Sequence, residues 1–162
     1  MTLVQPKVPP GLYDADFYAW TQRQAQLIRE RRLGDVDWEN LAEEIESVGR
    51  SEKAEIRSRL AVLLQHLLKW QFQPEQRSHS WQSSISEQRI HIAGLIEDSP
   101  SLRRYPAEVL ARCYGQALRR AASDTDLPAS SFPEPCPYTV EQVLDDAFLP
   151  GRPWTAGGLL RD

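Results

Sequence analysis

The sequence predicts an all-α fold, an up-down four-helix bundle with a short additional C-terminal helix. Three observations carry this. Apolar residues recur at three- and four-residue spacing through four long stretches. Helix-capping residues, prolines and glycines punctuate those stretches, and no alternating run is long enough to make a sheet. At 162 residues the chain fits one domain, which at this size buries roughly 70% of the surface its unfolded chain exposes. A hydrophobic core is therefore expected without metal or disulfide support.

Residues 1–11 are proline-rich, lack the apolar core of a signal peptide, and are expected to be a flexible N-terminal segment. Residues 12–150 are read as a single helical bundle domain. Asp14 or Asp16 caps a first helix carrying Phe17, Trp20, Leu27 and Ile28, which Gly34 is expected to stop. Asp37 caps a long second helix over residues 37–72, with Glu39, Glu43 and Glu44 in its opening turns, where the helix dipole favours acids. Its broad apolar arc runs through Trp38, Leu41, Ile45, Val48, Ile56, Leu60, Leu63, Leu64 and Leu67. Gly49 interrupts that arc at a cost of about 1 kcal/mol relative to alanine and marks an expected bend; Pro74 ends the helix.

Ser78 or Ser80 caps a third helix with Trp81, Ile85, Ile92, Leu95 and Ile96, closed ahead of Pro100 because the residue before a proline disfavours the helical region. A fourth helix is expected from about Pro106 to Ala122, with Val109, Leu110, Cys113, Ala117 and Leu118 inward. Residues 123–138 hold Pro128, Pro133, Pro135 and Pro137 and are expected to run extended, as a clamp or linker. Thr139 and Gln142 make a capping-box pattern for the short last helix with Val140, Val143, Leu144 and Phe148. Residues 151–162 are expected to be a flexible tail.

Net charge is −4 and the pI is about 5.4, so no global positive field draws the chain to nucleic acid or an anionic membrane. Arginine dominates the 19 basic residues without clustering. Cys113 and Cys136 form neither a Cys-x-x-Cys pair nor a Cys/His zinc pattern, and sequence alone leaves open whether they are free. No run of about 18 apolar residues occurs, and the expected setting is the cytoplasm.

Several strings have the look of a signature: residues 13–20 (YDADFYAW), 37–50 (DWENLAEEIESVGR), 65–74 (QHLLKWQFQP), Ser80-Trp81 with Glu87-Gln88-Arg89, residues 100–103 (PSLR) and 136–139 (CPYT). On these the chain resembles the bacterial family known as domain of unknown function twenty-nine, over nearly all of residues 12–150. The resemblance implies an all-helical protein built around a four-helix bundle, and implies no activity, cofactor or partner.

On a helical wheel at ~100° per residue, Glu44, Val48, Glu55, Arg59, Val62, His66 and Trp70 share one strip beside the apolar arc, with Lys69 at its edge. Glu44, Arg59, His66 and Lys69 are thus the candidate catalytic residues, able to serve as acid, anion clamp and base. Glu87 and His91, four apart on the third helix, together with His66 are the candidate metal ligands. Repeated Glu-x-x-His units and His-Glu-x-x-His are both missing from the sequence, so no metal is favoured and no cofactor is expected. The serines around His79 read as helix caps.

Two functions compete. The favoured one is a non-enzymatic protein-interaction or scaffold module with a buried Glu/Arg/His/Lys network, partnered by another protein or a second copy. The alternative is a hydrolase or nuclease using that cluster, with or without a metal. Trp20, Trp38, Trp70 and Trp81 are expected in the core, and Trp154 is the candidate for packing onto a groove or a second subunit.

Overall fold

In the computed structural model, residues 11–155 and 158–159 are described, with backbone alone for 154, 155, 158 and 159. The fold is all-helical, as the sequence predicts. A one-turn α1 (Leu12–Ala15) precedes four long helices, α2 (Phe17–Arg29), α3 (Trp38–Phe72), α4 (His79–Asp98) and α5 (Tyr105–Thr125), followed by a short α6 (Val140–Leu144). Two-residue strands β1 (Trp154–Thr155) and β2 (Gly158–Leu159) pair antiparallel. The chain divides into two compact units, Met1–Arg50 and Ser51–Asp162.

In the first unit, Asp16 caps α2 by accepting from the Ala19 amide at 2.9 Å, as its short side chain allows. The helix stops before the expected Gly34. Arg31 takes a left-handed conformation (φ 56), its amide donates to the Ile28 carbonyl, and the Arg32 amide reaches back to Leu27. This is a Schellman closure built on arginine where glycine is the usual residue. Trp20, Gln24 and Leu27 are buried, and Trp20 Nε1 donates to Asp37 at 3.2 Å. Asp37 also holds Asn40, so the capping role read from the sequence stands. Those bonds outweigh the upward push of burial and hold its carboxyl below the ordinary aspartate value.

Trp38 departs from expectation. It is 54% exposed, as are Ile45 and Val48 at 65% each, although all three lie on the apolar arc. Periodicity specifies which side chains share a face, not whether anything covers that face. The α3 helix runs through Gly49 without a break.

The second unit holds the main core. Leu60, Leu63, Leu64, Leu67 and Leu68 of α3 pack with Ile85 and Ile92 of α4 and with Cys113, Tyr114, Ala117 and Ala121 of α5. The proline-rich connector clamps this core with two aromatics, Phe132 and Tyr138, which are 3% and 5% exposed. The Tyr138 hydroxyl donates to Gln71 Oε1 at 2.6 Å and the Tyr114 hydroxyl to the Pro133 carbonyl. Burial pushes the Tyr114 hydroxyl up to about 12. The α5 helix extends one turn beyond the expected Ala122. Thr139 and Gln142 form the capping box that the sequence announces for α6. Cys113 and Cys136 are free, each thiol directed at a backbone carbonyl.

Candidate functional site

The predicted strip separates into local pairings. Glu44 belongs to the first unit, where it accepts a hydrogen bond from the Tyr13 hydroxyl. Arg59, in the second unit, donates through Nε to Glu55 at 2.7 Å, one turn earlier on α3, and through Nη1 to Gln88 at 3.3 Å. It lies two helical turns before His66, about 10 Å along the axis.

His66 and Lys69 are brought together with residues the sequence reading did not select. Lys69 Nζ pairs with Asp124 of α5 at 3.0 Å and sits 4.7 Å from the centre of the Trp81 ring. Gln65 donates to the same Asp124 oxygen at 2.7 Å. Burial pushes the Asp124 carboxyl up, but the bonds from Lys69 and Gln65 and the neighbouring positive charge outweigh it, and the carboxyl sits below its ordinary value. The Lys69 ammonium is thus held between an aromatic face and a carboxylate, an arrangement that satisfies a largely buried cation.

His66 Nδ1 lies 2.9 Å from the Val62 carbonyl. A carbonyl can only accept, so the neutral ring carries its proton on Nδ1 and its lone pair on Nε2. Burial, joined by the nearby Lys69 charge, lowers the His66 pKa against the opposing pull of Val62 and Asp124. The ring is neutral at pH 7. The unfolded ring binds a proton as pH falls through 6.5, whereas the folded ring resists, so this group's stabilising contribution is full above that pH and is lost below it. Urea midpoints at pH 7.5 and 5.5 are expected to fall more for the wild type than for His66→Gln; equal falls would show that the ring titrates alike in both states.

The three candidate metal ligands stay apart in role. His91 is exposed and turns Nδ1 to the Glu87 carbonyl at 2.9 Å, while the Glu87 side chain is exposed. Among the described residues no group of three His, Cys, Asp or Glu side chains is placed to hold a metal ion.

Two buried arginines escaped the sequence reading. Arg89, 3% exposed, donates to the carbonyls of Val143, Asp146 and Phe148 at 2.9, 3.4 and 2.8 Å. Arg77, 7% exposed, donates to Trp70, Arg152 and Pro150 at 2.7, 2.5 and 3.5 Å, and lies 5.1 Å from the Trp70 ring centre. The two guanidinium groups hold residues 143–152 to the body of the unit through backbone carbonyls, among them the orphan carbonyls at the ends of α3 and α6. Gly151 fits this seam because its φ is +87 and an added Cβ would come within 2.9 Å of Arg77. The one sequence signal for Arg89 was its place in the Glu87-Gln88-Arg89 string. Trp154, singled out from the sequence, has a side chain outside the described residues.

None of Glu44, Arg59, His66 and Lys69 lines either of two cavities of about 420 and 490 Å³ in the second unit. Among the described residues no helix is long and apolar enough to cross a membrane. A family model described as domain of unknown function DUF29 matches residues 12–149. No curated protein and no solved structure gives a significant match.

Proposed function

The chain belongs to the family described as domain of unknown function DUF29, and from that premise we propose that it is a non-enzymatic protein-interaction module. It pairs with a second copy of itself through the first half of α3, in a cytoplasmic setting. One observation carries the reading: of the eight large apolar residues exposed among those described, seven (Phe17, Tyr18, Ile28, Leu33, Trp38, Ile45 and Val48) lie in the first unit and only Ile90 lies outside it. Exposed apolar surface gathered in one region marks an interaction site.

The spacing supports a helical partner of the same kind. Trp38, Leu41, Ile45 and Val48 follow one another at intervals of three, four and three, the seam of a two-helix contact, and lie within ~80° of one another on the helix. Glu39, Glu43, Glu46 and Arg50 occupy the other side, where Arg50 reaches Glu43 at 2.6 Å and Glu46 at 3.6 Å. Most of the charge on this stretch of α3 thus lies away from the seam, and Glu44 at its edge is bonded to Tyr13.

Local pairing supports a structural role for the polar cluster. Lys69 and Asp124 neutralise each other, Arg59 is held by Glu55, and Glu44 is bonded to Tyr13.

Light scattering after size exclusion tests the proposal. At about 100 µM, a typical interface of moderate affinity is expected to give twice the 18.5 kDa chain mass. Ile45→Glu with Val48→Glu is expected to return the single-chain mass with an unchanged helical spectrum, since both side chains are 65% exposed. A wild-type mass of one chain at that concentration would overturn it.

A further inference from the structure

The second unit carries a groove that no part of the interaction described above uses. Its two cavities, about 420 and 490 Å³, adjoin, sharing Arg103 and Leu144. Ile92, Ile96 and Leu144 make the first apolar, and Val140 and Leu144 do the same for the second. The wall built by α6 is fixed at both ends, by the Thr139–Gln142 capping box and by the Arg89 bond to the Val143 carbonyl.

Charge is distributed along the groove in a pattern. The turn Pro100–Leu102 delivers Arg103 to the junction of the cavities, with Arg104 beside it. Both are exposed, and neither guanidinium has a hydrogen-bond or ion-pair partner among the described residues. Glu97 stands in the first cavity, and Glu108 and Glu141 stand in the second. Arg89 also lines the first cavity but is buried and bonded to backbone carbonyls, so the exposed charge is positive at the junction and negative in each cavity, over an apolar floor.

We propose that this groove binds a short segment of a partner protein in which an acidic residue lies between two large apolar side chains. The carboxylate meets Arg103 and Arg104, for which a guanidinium fork is suited. The apolar side chains enter the two cavities, each roomy enough for a large side chain. Basic residues at the segment's ends suit Glu97 at one flank and Glu108 and Glu141 at the other. This site is independent of the α3 seam, and a chain that fails to pair with itself still carries it.

A random dodecapeptide library displayed on phage, selected on the immobilised full chain, tests the proposal. The expected result is enrichment of peptides with Asp or Glu flanked on both sides, within three residues, by Leu, Ile, Met, Phe or Trp. The best such peptide, made synthetically, is expected to bind Arg103→Glu and Ala107→Trp at least tenfold more weakly. The first variant reverses the central charge; the second fills the second cavity from an exposed position. Ile45→Glu with Val48→Glu is expected to bind that peptide like the wild type, which separates this site from the seam. No enrichment over an uncoated surface, or equal binding to both groove variants, would overturn it.

Discussion

Replacing Arg89 with methionine is expected to destabilise the chain by about 3 kcal/mol, since each buried carbonyl left without its donor costs about 1–3 kcal/mol and loss of the buried charge offsets part of the sum. The side chain is 3% exposed and its three nitrogens donate to the carbonyls of Val143, Asp146 and Phe148. Methionine fills much of the volume but offers no donor, so three carbonyls lose their partner, including one at the C-terminal end of α6. Lysine is expected to recover only part of the loss, because a single ammonium cannot reproduce a planar fork. For a chain of this length the drop corresponds to a melting temperature lower by on the order of 10 °C. Urea unfolding of wild type, Arg89→Met and Arg89→Lys checks the order; a methionine variant within 1 kcal/mol of wild type would mean that these bonds add nothing net.

Truncating Trp70 to alanine is expected to cost a similar amount, about 3–5 kcal/mol, as large aromatic deletions in cores do. Trp70 is 1% exposed and belongs to the main core cluster. Its ring also supports the Arg77 guanidinium at 5.1 Å, so the truncation removes a cation–π contact along with apolar contacts. The two residues are therefore expected to be coupled. In a double-mutant cycle with Arg77→Met, the combined loss should fall short of the sum by at least 0.5 kcal/mol. Strict additivity would show that the ring and the guanidinium act independently.

These two residues also illustrate what was legible in the sequence. Trp70 could be placed by spacing, since neighbours at three and four positions along one helix decide its face. The four long helices and the Thr139–Gln142 box are local in the same sense and readable, and the Asp16 and Ser78 caps were each narrowed to one of two neighbouring candidates. Arg89 was not, because its acceptors lie 54 to 59 positions further along the chain and are backbone atoms, which carry no residue identity to recognise. Asp124 escaped for a related reason: only the packing of α5 against α3 brings it to Lys69. Trp38 is exposed and not in the core, because an apolar stripe says which side chains share a face and not whether the same chain covers it. Arg31 in a left-handed turn ended α2 early, where glycine was the expected signal.

The assembly proposed for the first half of α3 is tested most directly at the side chains that form it. The Ile45 and Val48 methyl signals can be followed by NMR in the presence of a soluble gadolinium chelate, which broadens whatever solvent reaches, in dilute and in concentrated protein. Both methyls are expected to broaden strongly when dilute and to become shielded as concentration rises, while Ile90, exposed in the second unit, broadens equally throughout. Equal broadening of Ile45 and Val48 at every concentration would contradict it.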